Sequence, residues 1–228
     1  GNPDIIDVSQ GFALTHGAPL ILPGMLNALD GRYLITETLF KYHAACYLTH
    51  AAIDAAREVL RSHHLDADEI DAVEILGSTA CIGVCDIAEP ATGLELKFSL
   101  RATVAMTLLG DDTSDPASYV EARARDPELV AMRERVRFVP SPDRPGTRAT
   151  LIVRARGREF SADADTGRPA SDLDRQREQL TAKFFLLASP VLGDGAARAL
   201  HRSLSEVERA SSMRDIVALA RPAMAETR

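Results

Sequence analysis

The chain has 228 residues, of which 46% are hydrophobic and 26% are charged, and its formal net charge is −7. This length and composition are typical of one or two globular domains and exclude a disordered, collagen-like or coiled-coil protein. The acidic balance argues against binding to nucleic acid or to an anionic membrane, because both surfaces are themselves negative.

Two residue types are rare in the chain. Arginine outnumbers lysine by 23 to three, and the lysines are Lys41, Lys97 and Lys183. Three cysteines cannot form a disulfide framework in a chain of this length, so we predict a reducing, cytoplasmic location. The longest apolar stretch, 184–192, is too short for a membrane helix, and the sequence predicts no signal segment.

In chain order, the first predicted element is a strand near 33–40. Apolar residues at helical spacing predict a helix over 43–61. Alternation of apolar and acidic residues predicts a strand over 70–76, and the run of small residues, Gly and Pro at 78–96 predicts a loop.

The second half of the chain predicts helices, then three strands, and then helices again. Residues 96–109 are apolar or small on almost every side, which indicates a buried helix. Two short helices are predicted within 117–135, and three strands within 136–164. Residues 173–220 are helical by pattern. Because the strands are confined to the middle of the chain, we predict an α+β fold and not a doubly wound sheet.

One stripe of the predicted 43–61 helix carries side chains capable of acid–base chemistry. Asp54 follows His50 by one helical turn, where it would orient and charge that imidazole. The positive end of the helix dipole would favour an anionic ligand near Lys41 and His43. The alternative is that the stripe is only the solvated face of an amphipathic helix. Its members are His43, Cys46, His50, Asp54, Arg57 and Arg61.

A second candidate anion site lies at the start of the predicted 96–109 helix. Lys97, Ser99 and Arg101 would place two cations and a hydroxyl at a helix N-terminus. The alternative makes Ser99 a capping residue and leaves the cations as ordinary exposed ends. Cys81 and Cys85 are separated by three residues without neighbouring Cys or His ligands, so we predict no metal site.

These two segments resemble the MmgE/PrpD family, which includes 2-methylcitrate dehydratases, cis-aconitate decarboxylases and iminodisuccinate epimerases. Residues 41–56, which begin Lys-Tyr-His-Ala-Ala-Cys-Tyr-Leu-Thr-His, are similar to the family's Lys-x-Tyr/Phe-Pro-x-Cys/His-x-x-x-His segment. Residues 97–105, Lys-Phe-Ser-Leu-Arg-Ala-Thr-Val-Ala, are similar to Phe-Ser-Leu-Pro-Tyr-x-Val-Ala. A third, weaker match to the family consists of Gly167-Arg168-Pro169 followed by residues 180–184. All three lysines fall within these segments.

The chain departs from the family pattern at two places. His43 stands where the family has proline, and Arg101-Ala102 stand where it has Pro-Tyr. A tyrosine that the family often presents to substrate is therefore absent, and a cation has appeared. These departures leave room for a polycarboxylate other than 2-methylcitrate.

The resemblance implies the C-terminal half of a longer protein. We expect residues 1–30 to be a leading segment from a missing N-terminal helical domain and 31–168 to form an α+β lid-type domain with a mainly antiparallel sheet. Residues 169–228 would then be C-terminal helices that belong to an all-helical domain. Because the family's acid–base residues of the first half have no counterpart here, we expect the chain alone to be inactive.

The resemblance also implies a function. The expected enzyme is a cofactor-independent, metal-free, homodimeric hydro-lyase like 2-methylcitrate dehydratase, which abstracts a proton from a small di- or tricarboxylate. Epimerase-like or decarboxylase-like activity is the alternative, and a non-catalytic module that binds a carboxylate or a partner is the alternative from another class. The implied catalytic residues are Lys41 and His50, and the implied substrate-binding residues are His43, Cys46, Lys97, Ser99 and Arg101.

Overall fold

The computed structural model describes residues 33–222, in two compact units that divide between Thr38 and Leu39. In the first unit, one turn of 3₁₀ helix spans Leu34–Glu37. The predicted strand at 33–40 is therefore wrong. The backbone N–H and the hydroxyl of Thr36 both donate to the Tyr33 carbonyl, and these local bonds replace strand pairing. The predicted leading segment 1–30 lies outside the described residues.

The second unit contains all the α-helices and strands described for residues 33–222. The helices are α1 (His50–His63), α2 (Gly93–Lys97), α3 (Leu100–Leu108), α4 (Glu121–Ala124), α5 (Pro127–Glu134), α6 (Leu173–Leu192), α7 (Asp194–Ser205) and α8 (Met213–Leu219). The strands are β1 (Ile70–Ser78), β2 (Val136–Ser141), β3 (Arg148–Ala155) and β4 (Arg158–Asp165).

The four strands form one sheet in the order β2-β1-β3-β4. β1 pairs with β2 in parallel, because helices α2 to α5 carry the chain back to the same end of the sheet. β3 pairs antiparallel with both β1 and β4. Arg156 and Gly157, at φ of 54° and 66°, form the tight turn between β3 and β4. The α+β fold with a mainly antiparallel sheet is confirmed.

The hydrophobic core lies between this sheet and helices α1 and α3. α1 crosses β3 and β4 and also packs against α3. Its buried face is largely alanine, so the helix backbone lies close to the strands. The sheet contributes alternate residues such as Val73 and Ile75 from β1 and Leu151 and Val153 from β3, all of them buried.

α1 begins at His50, seven residues later than the sequence predicts. Two long-range bonds keep the preceding backbone out of the helix: the Ala44 N–H donates to the Thr113 carbonyl, and the Cys46 N–H donates to the Lys97 carbonyl, each at 2.8 Å. The predicted stripe therefore does not exist on one helix. Its first two residues belong to an irregular segment instead.

The remaining predicted elements follow the structure closely, with local shifts. The 96–109 helix is α3, which begins at Leu100 because Ser99 caps it. The sequence also predicts a helix break within Pro190 to Gly195, and the break lies there, at Gly193, whose φ is 78°. The predicted loop 78–96 includes a 3₁₀ turn, Thr79–Cys81, and the start of α2.

The C-terminal helices pack in sequence, α6 on α7 and α7 on α8. None of the described side chains of α6 is buried, and its Leu187 and Val191 are exposed. No described helix combines the length and the apolar character needed to cross a membrane.

A matched pair of glycine substitutions tests the packing of α2. A methyl group at Gly93 would lie far inside contact distance of the Tyr119 carbonyl oxygen, whereas one at Gly195 in α7 meets nothing within 4 Å. We expect Gly93→Ala to lower the free energy of unfolding by about 1–3 kcal/mol. Gly195→Ala should raise it by about 0.5–1 kcal/mol, because alanine favours a helix. Urea denaturation measures both, and a Gly93→Ala protein as stable as the parent would contradict this packing.

Candidate functional site

All three lysines of the chain line one pocket of about 320 Å³. The sequence predicts a substrate site at Lys41 and Lys97, and the structure brings these two together. Lys183 lines the same pocket, although the sequence did not predict it as a site residue; its signals were the rarity of lysine and its place in the weaker family match. Its Nζ donates to the Lys41 carbonyl oxygen at 2.5 Å.

The three lysines lie on three separate segments of the chain. Lys41 precedes the irregular segment 42–46, Lys97 ends α2, and Lys183 lies on α6. α2 is started by a capping box between Thr92 and Glu95, which positions Lys97 one turn later. The Lys97 ammonium then lies 5.4 Å from the centroid of the Tyr119 ring, at cation–π distance.

The pocket is strongly cationic. None of the described residues that line it is an acid, and no lysine forms an ion pair with another described residue. Three lysines line one cavity without a described acid to balance them, so an anion in the cavity would supply a counter-charge.

His43 lines the same pocket, but both of its ring nitrogens bond within the protein. Nε2 donates to Asp54 Oδ1 at 3.0 Å, and Nδ1 lies 2.8 Å from the Thr113 hydroxyl. That hydroxyl also accepts from Arg57 at 3.0 Å. The prediction that Asp54 orients His50 is therefore wrong, because the late start of α1 places His43 against that carboxylate instead.

His50 is buried, with only 2% of its surface exposed, and its ring packs against those of His43 and Tyr47. Its Nε2 has no hydrogen-bond partner among the described residues. The Ala45 backbone favours the protonated form of the ring, but burial opposes it more strongly. Burial, and then the neighbouring His43, lower the pKa of His50 to about 4. At neutral pH His50 is therefore an uncharged base.

Ser99 and Arg101 do not line the pocket. The Ser99 hydroxyl donates to the Ile87 carbonyl at 2.6 Å and accepts from the Ala102 N–H at 3.2 Å, so it caps α3. Ser99 is also fully buried. The placement of these two residues lends no support to their predicted contact with substrate.

Of the three cysteines, Cys46 lines the pocket, whereas Cys81 and Cys85 are buried. Contact with Cys85 lowers the pKa of the Cys81 thiol, and the same contact together with burial raises the pKa of Cys85. Over the part of the chain that the structure describes, no cluster of His, Cys, Asp and Glu is arranged to hold a metal ion.

The buried, uncharged His50 makes stability depend on pH. Between the unfolded pKa of 6.5 and the folded value of about 4, the unfolded chain binds a proton that the folded chain does not. Stabilisation is therefore complete above pH 6.5 and is lost as the pH falls toward 4, by about 3 kcal/mol in all. His50→Asn keeps a polar side chain at this position but cannot titrate. Urea denaturation at several pH values should show a flatter dependence for this variant, and equal slopes would contradict the assignment.

Comparison with known proteins identifies the family of the chain. None of the curated proteins compared with the chain matches it. A family model, the MmgE/PrpD C-terminal domain, matches residues 43–208, which is most of the chain. The match includes His43, Cys46 and His50 as well as two of the three pocket lysines. The chain therefore belongs to the MmgE/PrpD family of enzymes, in the part that corresponds to its C-terminal domain.

Proposed function

We propose that the three-lysine pocket binds a small di- or tricarboxylate, and that the chain is the C-terminal half of an enzyme that abstracts a proton next to a carboxylate. The observation that carries this proposal is the convergence of Lys41, Lys97 and Lys183 on one cavity free of described acids. A volume of about 320 Å³ suits a small ligand.

The chemistry needs cations at two stages. Ammonium groups first hold the substrate carboxylates, and one of them then opposes the enolate-like charge that develops when a carbon-bound proton leaves. Lys41 is our candidate for the second role. His50 is our candidate to bind or carry the proton. It is buried behind the described lining of the pocket, and its ring contacts that of His43, which lines it. No metal or organic cofactor is part of the proposal.

The fate of the carbanion decides the reaction. Loss of a neighbouring hydroxyl as water gives a hydro-lyase of the 2-methylcitrate dehydratase type, which is our first proposal. Reprotonation on the other face would give an epimerase like that acting on iminodisuccinate. In a decarboxylase like those acting on cis-aconitate, carbon dioxide would leave in place of the proton, and protonation of the resulting carbanion would complete the reaction. All three reactions pass through negative charge on carbon that a nearby cation would stabilise.

The proposal includes a partner domain. Residues 31–168 would be the lid, and 169–228 would join an N-terminal helical domain that this chain lacks, in a homodimer. The exposed apolar side chains of α6, Leu187 and Val191 among them, support a covering surface of this kind.

Citrate binding to the 228-residue chain tests the pocket. We expect Lys41→Ala, Lys97→Ala and Lys183→Ala each to weaken binding about 10- to 100-fold, since each removes a charged hydrogen bond worth about 1.5–3 kcal/mol. Arg177→Ala removes a cation from the exposed face of α6 and is the matched control, with unchanged affinity expected. Calorimetry measures all four variants, and equal affinities across the lysine series would contradict the proposal.

Turnover tests the chemistry. The longer protein that the proposal requires should convert 2-methylcitrate, cis-aconitate or iminodisuccinate, and Lys41→Ala should lower its kcat by about 100-fold or more. Full activity in that variant would remove Lys41 from the mechanism. The 228-residue chain alone should show no turnover, and measurable activity would refute the account of the missing half. Citrate binding without turnover of any substrate by the longer protein would favour the non-catalytic module.

A further inference from the structure

Tyr119 is the aromatic partner of Lys97, one of the three lysines of the pocket. The residue is only 5% exposed, and the Lys97 ammonium lies over its ring, 5.4 Å from the centroid. At this distance the negative face of the ring attracts the cation. Tyr119 is not among the described residues that line the pocket, so it contacts the site only through Lys97 and the backbone around it.

The Tyr119 ring is anchored at both of its ends. Its hydroxyl donates to the Thr113 carbonyl at 2.9 Å, and burial raises the pKa of Tyr119 well above its usual range, so the hydroxyl remains a donor. Its backbone N–H donates to the Pro116 carbonyl at 3.2 Å. The Thr113 carbonyl also accepts from the Ala44 N–H at 2.8 Å, so the ring and the irregular segment 42–46 share one acceptor.

Tyr119 also packs against the helix that carries Lys97. α2 extends only from Gly93 to Lys97. A methyl group at Gly93 would lie far inside contact distance of the Tyr119 carbonyl oxygen, so the first residue of α2 lies directly on the Tyr119 backbone. The last residue of the same helix places its ammonium over the Tyr119 ring. Contact at both ends of α2 fixes the helix, and with it the Lys97 side chain, relative to the ring.

We propose that Tyr119 is a positioning residue of the lysine pocket, whose anchored ring holds the Lys97 ammonium where a carboxylate of the ligand binds. This inference rests on the proposed function of the pocket. A lysine side chain has many rotamers, and ordering it at the moment of binding costs free energy. An acidic partner would restrain Lys97 but would also cancel its charge. The Tyr119 ring restrains the ammonium and leaves its charge available to an anion.

Two substitutions separate the ring of Tyr119 from its hydroxyl. Tyr119→Leu removes the ring, and we expect it to weaken citrate binding about 3- to 30-fold. Tyr119→Phe keeps the ring and leaves the Thr113 carbonyl bonded to Ala44, so its affinity should stay within about threefold of the parent's. Phe160→Leu is the matched control, because Arg158 lies 5.5 Å from that ring and neither residue lines the pocket. Its citrate affinity should equal that of the parent.

A double-mutant cycle distinguishes positioning from a purely structural role. In a Lys97→Met chain the ring has no ammonium to hold, so adding Tyr119→Leu should cause no further loss of citrate affinity. Calorimetry measures the loss in both backgrounds, and equal losses would overturn the inference. A parent chain that binds no citrate would contradict the proposed function instead, and the contact between ring and ammonium would then be decided by the measurement that follows.

Nuclear magnetic resonance of the lysines tests the contact without a ligand. Because the chain has three lysines, isotopically labelled lysine should give three ε-methylene signals, and Lys97→Arg identifies that of Lys97. We expect the ring current to shift this signal upfield of its position in the unfolded chain. The shift should persist in Tyr119→Phe and Phe160→Leu and vanish in Tyr119→Leu, while unmoved signals of Lys41 and Lys183 show that this variant is folded. A Lys97 signal that is unshifted in the parent, or that Tyr119→Leu does not move, would overturn the inference even if citrate binds.

Discussion

Two backbone hydrogen bonds govern the geometry of the site, those from Ala44 to the Thr113 carbonyl and from Cys46 to the Lys97 carbonyl. Each backbone N–H must find an acceptor when it is buried, and here the acceptors belong to distant segments and not to the next helical turn. The chain therefore enters α1 only at His50. Because α1 begins at His50 and not at His43, His43 and Cys46 do not lie on the solvated face of a helix. They line a pocket together with the lysines.

Arginine and lysine have different roles in this protein. Arginines bind carboxylates across the sheet and loops, as Arg148 does with Asp165 and Arg123 does with Asp111. The planar guanidinium suits such paired bonds. None of the lysines has an acid partner among the described residues, and all of them line one pocket. Lys183 donates to a carbonyl and Lys97 lies over an aromatic ring, but neither contact neutralises the charge, which gives the compositional rarity of lysine a physical meaning.

The two histidines near the pocket also differ. His43 ties the irregular segment to α1 through Asp54 and to the Thr113 loop through its other nitrogen. His50 has one ring nitrogen without a partner among residues 33–222, and burial keeps the ring uncharged at neutral pH. Both ring nitrogens of His43 are thus used in bonds within the protein, whereas Nε2 of His50 has no such bond among the described residues and can take a proton.

The sequence by itself determined the elements that depend on local periodicity and turn chemistry. Alternating residues indicated β1, β3 and β4, Asp126-Pro127 divided the helices α4 and α5, and the run of apolar residues indicated α3. Two short motifs also placed the chain in its family. Only the tertiary structure decided where α1 begins, that Asp54 serves His43, and that Lys183 meets Lys41 from 142 residues away. These features depend on hydrogen bonds and charges between distant segments, whose contacts no local pattern specifies.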